Sequence, residues 1–227
     1  MPTCLITGSN RGLGLEFAKQ YAADDWKVIA TCRRPESAEA LAALEGNIQI
    51  YPLDVTDFAR IEQLARKLSR EAIDLLINNA GVYGPRVGTY NSVDYAAWCE
   101  VLRANTMAPL KMSAAFLDHL MRGRQRKIVT ISSKMGSMAD NTSGGVYAYR
   151  SSKAAVNAVM KSLSVDLRDQ DFIVAVLNPG WVQTDLGGPG ATIDCFESVA
   201  GMRDVIHNLR IEDSGRFLHY DGTDIPW

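Results

Sequence analysis

Thr3-Cys4-Leu5-Ile6-Thr7 runs directly into Gly8-Ser9-Asn10-Arg11-Gly12-Leu13-Gly14, and this junction decides the fold. A short apolar run that stops at clustered glycines reads as a buried strand meeting a tight turn. Leu13, Phe17 and Tyr21 follow, spaced as on one helix face. Strand, glycine turn and helix together offer free N–H groups and a positive dipole end to a phosphate, with no Cβ in the way. The spacing is GxxxGxG, not GxGxxG. The reading as a dinucleotide turn therefore rests on its place between strand and helix.

Outward from this junction the alternation repeats. Strands are expected at residues 3–7, 27–32, 48–53, 73–78, 127–132, 172–177 and 216–220. Most are near-continuous apolar runs, the pattern of strands covered by helices on both faces of a parallel sheet. Ile61, Leu64, Ala65 and Leu68 mark a helix opened by Asp57 as N-cap. Residues 93–120 form a long helical stretch that Pro109 should kink. Residues 156–167 form another apolar-faced helix. The sum is a doubly wound α/β sheet. The glycine- and proline-rich stretch 186–193 reads as the start of a short lid near residues 186–200.

The chain has 227 residues, 47% of them hydrophobic, enough for one core and a single domain over 1–227. Lys and Arg number 24 against 26 Asp and Glu, a balance that argues against nucleic acid as a partner. No apolar run reaches about 18 residues, and the start lacks a basic segment before an apolar one. Neither a membrane span nor a signal peptide is expected. Cys4, Cys32, Cys99 and Cys195 form no CxxC pair and have no His at ligand spacing. They read as reduced thiols in a cytoplasmic protein, without a metal site.

The end of the second strand chooses the dinucleotide. A site for NAD wants Asp or Glu about 20 residues past the turn, on the ribose 2′-hydroxyl. Here the chain reads Thr31-Cys32-Arg33-Arg34-Pro35. Arginine grips a 2′-phosphate instead, so NADPH/NADP is expected over NADH. Arg11, Arg33 and Arg34 should gather around that one phosphate.

Chemistry centres on Tyr149-Arg150-Ser151-Ser152-Lys153. Tyr149 and Lys153 share a helix face, and a nearby ammonium should lower the pKa of the phenol. A phenol so tuned serves as a general acid or base. Upstream, a strand ends in Ile131-Ser132-Ser133, where a serine hydroxyl can polarise a substrate carbonyl. Asn78-Asn79-Ala80-Gly81 ends another strand with small residues that allow close approach of a cofactor. Asn105, near Pro109, is expected to satisfy a freed helix backbone group and to hold a water. Lys134 receives no role.

In this order the motifs resemble the short-chain dehydrogenase/reductase superfamily over essentially the whole chain. They are Thr7 to Gly14, Asp54-Val55-Thr56, Asn78 to Gly81, Asn105, the strand-end serines, Tyr149 with Lys153, and Asn178 to Asp185. More narrowly the chain is similar to sniffer-type carbonyl reductases and C-factor-like bacterial members, through the segments 133–159 and 215–227. The resemblance implies a Rossmann-type sheet of about seven strands in the order 3-2-1-4-5-6-7. It implies a catalytic set of Asn105, Ser133, Tyr149 and Lys153, with Ser133 favoured over Ser132 and Asn105 holding a relay water. Cofactor contacts would come from Gly8, Ser9, Asn10, Arg11, Leu13, Gly14 and Arg33. Asp54 and Val55 would meet the adenine and Asn79 a ribose. Ala80, Gly81, Tyr149, Lys153, Pro179, Gly180, Val182 and Thr184 would line the rest. Tyr83, Met135, Met138, Tyr147 and Trp181 are candidates for the substrate pocket.

The implied activity is NADPH-dependent reduction of a ketone or aldehyde, or the reverse oxidation of an alcohol. The alternative is an NAD(P)-binding regulatory or signalling protein of the C-factor kind. A homodimer or homotetramer is implied, through the long helices after strands four and five.

Overall fold

In the computed structural model, which describes residues 1–85, 90–188 and 190–227, the strands form one sheet. They are β1 (Thr3–Thr7), β2 (Lys27–Cys32), β3 (Ile48–Pro52), β4 (Leu75–Asn78), β5 (Lys127–Ile131), β6 (Ile173–Asn178) and β7 (Phe217–His219). Their order is β3-β2-β1-β4-β5-β6-β7, and every neighbouring pair is parallel. The sheet is the expected one. The strand order reverses between β1 and β4, and ligands bind outside the carboxyl ends of strands at such a point.

The apolar runs are continuous because alternate residues feed two separate cores. Cys4, Ile6, Val28, Ala30, Leu75, Ile77 and Val129 face one layer. That layer holds α1 (Gly12–Ala23), α2 (Glu39–Ala42) and α8 (Cys195–Asn208), through Phe17, Tyr21, Leu41, Val199 and Met202. Leu5, Ile29, Leu76, Ile128 and Val174 face the other. Over them lie α3 (Phe58–Lys67), α5 (Ala108–Ala115), α6 (Leu117–Arg122) and α7 (Tyr147–Asp166), through Ile61, Met112, Leu120, Val156 and Met160. Asp57 caps α3, accepting the Arg60 N–H at 3.1 Å. Among the described residues no helix is long and apolar enough to cross a membrane.

Four boundaries move by more than one residue. β4 starts at Leu75, not Ile73, because the Ile73 N–H turns away from the sheet and donates to the His119 carbonyl at 3.0 Å. The stretch 93–120 is divided into α4 (Tyr95–Leu102), a π-turn (Arg103–Met107), α5 and α6. Pro109 follows the π-turn directly, in the first turn of α5, so the irregularity expected there falls just before the proline. α7 starts at Tyr147, well before residue 156. The loop expected to serve as a lid ends at residue 194, since Asp194 accepts the Glu197 N–H at 2.8 Å and α8 begins, burying Ser198 and Val199. Pro189, within the expected lid, lies outside the described residues.

Candidate active site

The glycine turn is built for close backbone approach. Gly8 and Gly12 take positive φ of 70° and 53°, open to glycine at little cost. A Cβ on Gly14 would stand 2.2 Å from the Gly8 carbonyl oxygen, so α1 can begin here only with glycine. No side chain caps α1, which leaves its first amides to a ligand. Asn79 supports the turn from β4. Its Nδ2 donates to the carbonyls of Thr7 at 2.8 Å and Gly8 at 3.2 Å, and the Thr7 hydroxyl accepts the N–H groups of Asn79 and Ala80. The amide N–H groups of Asn79 thus brace the turn. Those donors are taken by the two carbonyls that the sharp turn exposes.

Beside the turn, Asp54 accepts both the N–H and the hydroxyl of Thr56, at 2.9 and 2.7 Å. Burial pushes its carboxyl up, but the Thr56 bonds and the charges of Arg33 and Arg103 outweigh it and hold the group below its ordinary range. Arg33 thus sits where β2 and β3 end. Arg11, expected to join Arg33 and Arg34 at one phosphate, has another partner here. Its guanidinium pairs with Asp185 in the loop after β6, which presents the opposite charge across the turn.

The reactive side chains meet at the carboxyl end of β5. Tyr149 and Lys153 lie on the first turns of α7, both buried. Lys153 Nζ stands 5.7 Å from the Tyr149 ring centre and donates to the Ile131 carbonyl at 2.8 Å. Burial pushes the Tyr149 phenol up to about 12; hydrogen bonding with Ser133 opposes this and Tyr83 adds to it. Burial also lowers Lys153 from 10.5 to about 8. The expected lowering of the phenol by Lys153 is therefore corrected, because desolvation of the buried phenol dominates. Ser133 Oγ also accepts the Met135 N–H at 3.1 Å. Ser132, by contrast, is buried and donates to Asn157 Oδ1 at 2.6 Å. Of the two serines, Ser133 is the one that meets the phenol.

The π-turn presents adjacent residues to this helix. Asn105 Oδ1 accepts the Val82 N–H at 2.8 Å. Its Nδ2 donates to the Val82 carbonyl at 2.8 Å and to Ser152 Oγ at 3.0 Å. Thr106 Oγ1 donates to the Ser152 carbonyl at 2.9 Å. The backbone groups that Asn105 satisfies thus belong to residue 82, not to its own helix, because the π-turn aims the amide at α7 and the strand-four loop. A Cβ on Gly81 would lie 3.1 Å from Asn105 Oδ1 and 3.8 Å from Lys153 Nζ. Glycine there keeps a gap between those two groups.

Of the pocket candidates, Tyr83 stacks on Tyr149, with ring centres 4.5 Å apart and planes at 21°. Met135 touches Ser133 through its N–H. Met138, Tyr147 and Trp181 are exposed. Trp181 braces its own loop, its indole N–H donating to the Gly187 carbonyl at 2.8 Å. That loop follows Gly180 and Pro179, is bridged from Val182 to Ile193, and has the Thr184 hydroxyl accepting the Gly187 N–H at 3.0 Å. Reasoning from sequence gave no role to Asn178, whose Oδ1 accepts the Lys134 N–H at 2.9 Å and ties the serine loop to β6. Ser152, the hub of the π-turn contacts, was also passed over; its place between Tyr149 and Lys153 was the available signal. Lys134 itself pairs with Asp140 at 3.4 Å.

Comparison with known proteins agrees with this arrangement. The profile of the family described as short chain dehydrogenase matches residues 2–191. The C-signal protein of Myxococcus xanthus is 48% identical over 155 residues, covering 68% of this chain and 93% of that one. The carbonyl reductase Sniffer of D. melanogaster superposes with a TM-score of 0.93 at 36% identity, covering 100% of both chains. The NADPH-bound carbonyl reductase from chicken fatty liver gives 0.90 at 37% identity, covering 100% of this chain and 99% of that one.

Proposed function

The chain belongs to the short-chain dehydrogenase/reductase family of oxidoreductases, and from that premise we propose that it is an NADPH-dependent carbonyl reductase. The observation that carries this reading is the meeting of Ser133, Tyr149 and Lys153 at one strand end. The uncapped start of α1, its glycine-restricted turn and Arg33 beside Asp54 fit a dinucleotide with a 2′-phosphate. When bound, the nicotinamide supplies or accepts the hydride.

The chain's own groups handle the proton. With its phenol pushed up to about 12, Tyr149 is held as O–H at neutral pH and donates to the carbonyl oxygen as negative charge develops there. The Ser133 hydroxyl donates a second hydrogen bond to that oxygen. Preorganised donors of this kind are worth about 10²–10³ in rate each. Lys153 stays charged below about pH 8, favouring charge development on the Tyr149 oxygen. A water held between Asn105 and Lys153 would return the proton. The exposed Met138 and Tyr147 suit a ketone or aldehyde with apolar flanks.

Two further features belong to this reading. The groove that Leu110, Val159 and Leu163 line between α5 and α7 supports assembly as a homodimer or homotetramer. All four cysteines are free, which fits a reducing cytoplasm. The likeness to C-signal favours a second reading, a cofactor-binding signalling protein. A pure binding module has no use for the serine, tyrosine and lysine together.

NADPH consumption across a panel of ketones separates the two. Turnover that falls by about 10²–10⁴ in Tyr149→Phe, with NADPH binding kept, supports the reductase. Tight NADPH binding with no turnover on any carbonyl supports the signalling protein. For the cofactor, Arg33→Ala should narrow the NADPH/NADH preference about tenfold or more; an unchanged ratio removes Arg33 from the site.

A further inference from the structure

We propose that residues 223–227 are a positioning element for the substrate side of the site, acting through Trp227. After β7 the chain reverses and runs back antiparallel. Leu218 bridges Asp224, the Ile225 N–H donates to the Phe217 carbonyl at 2.9 Å, and His219 N–H donates to the Thr223 carbonyl at 2.8 Å. Arg216 holds Asp224 by two bonds of 3.0 and 2.7 Å. The return places the Trp227 ring on Phe217, with centres 5.5 Å apart. In that position the Trp227 carbonyl accepts the Ala139 N–H at 3.1 Å and the Ser137 hydroxyl at 3.5 Å.

The loop so gripped is the one that begins at Ser133. It has other fixings: Arg150 donates to the Met135 carbonyl at 3.4 Å and to Ser143 Oγ at 2.7 Å. Asn178 holds Lys134, and Gly136 lies against α7 so closely that a Cβ would stand 2.8 Å from the Lys153 backbone. Trp227 supplies the grip on residues 137–139, and the Ser137 hydroxyl extends it by accepting the Asp140 N–H at 3.1 Å. Met138, 74% exposed, projects from the gripped residues. Three strands separate β7 from β1 and its glycine turn. Releasing the return therefore loosens the wall beside the substrate and leaves the cofactor turn in place.

The proposal rests on the reductase reading, and its test has an arm that does not. In Trp227→Ala, KM for a bulky ketone should rise about five- to tenfold while kcat and the NADPH Kd stay within about twofold. Arg216→Gln, which frees the return farther upstream, should move KM the same way. Trp227→Phe keeps a ring for the stack and should restore it. Hydrogen exchange at residues 137–140 should quicken about tenfold in Trp227→Ala. Unchanged KM, or kcat, KM and NADPH binding all worsening together, overturns the proposal. If the unaltered protein reduces no ketone, the reductase reading fails by itself. Exchange then decides the clamp: quickened exchange supports it and unchanged exchange overturns it.

Discussion

Two buried lysines stand at opposite ends of β5. Lys127 opens the strand, and its Nζ donates to the carbonyls of Ile206 at 2.6 Å and His207 at 3.1 Å, in the last turn of α8. Lys153 reaches the other end and, among the described residues, donates to one carbonyl, that of Ile131. Both are buried, and burial lowers the pKa of both. What separates them is the use of their protons. Lys127 closes the negative end of a helix dipole with two strong bonds, and its role is complete within the fold. Lys153 keeps donors in hand beside the gap that Gly81 leaves open. Burial and a shifted pKa alone would have ranked these residues alike; counting partners tells scaffold from chemistry.

The contrast can be broken at either lysine. The largest effect is expected from Lys153→Met, which should cut turnover by about 10²–10⁴ while the melting temperature moves by only a few degrees. Steady-state rates and calorimetry on one preparation check both halves. Next is Lys127→Ala, which leaves helix-end carbonyls without their donor at a cost of roughly 2–4 kcal/mol. That corresponds to a fall of about 5–15 °C in Tm for a chain of this size, with kcat per folded molecule unchanged. A large loss of kcat at 20 °C would place Lys127 with the chemistry.

The smallest effect is in pH dependence. Lys153 titrates at about 8 against an ordinary 10.5. Between those values the unfolded chain binds more protons, so stability rises with pH by roughly 1–3 kcal/mol. Lys153→Met should flatten this rise in denaturant melts between pH 8 and 10.5. A slope that survives in Lys153→Met belongs to other groups.

The sheet is legible because most of its strands are buried on both faces. β1 and β2 begin and end where their apolar runs do. The start of β4 is not legible because the Ile73 N–H goes to the His119 carbonyl, a distant partner that no local pattern reveals. The apolar stripe of α7 starts only at Val156; over the turns before it Tyr149, Ser152 and Lys153 are buried yet polar, and the Tyr149–Lys153 spacing alone marks the helix there. Function and periodicity conflict over those turns, and function wins. The lid was overextended although Asp194 and Glu197 already spelled a helix start. The direction of the phenol shift was missed because it depends on how deeply Tyr149 is enclosed, which spacing to Lys153 does not contain.

The π-turn at Arg103–Met107 makes residue count a measure of angle. An α-helix advances about 100° per residue, and one additional residue in a turn sets everything downstream back by about that much. α4 therefore faces α7, with Trp98 Nε1 donating to Ser151 Oγ at 2.8 Å. α5 faces β4, with the Pro109 carbonyl and Ser113 Oγ each 3.4 Å from Asn78 Nδ2. Two neighbouring elements are served by one run of helix because its two halves are out of phase. Substitutions within the turn preserve that phase, and loss of a single residue abolishes it. What this stretch must keep across change is its length before its composition.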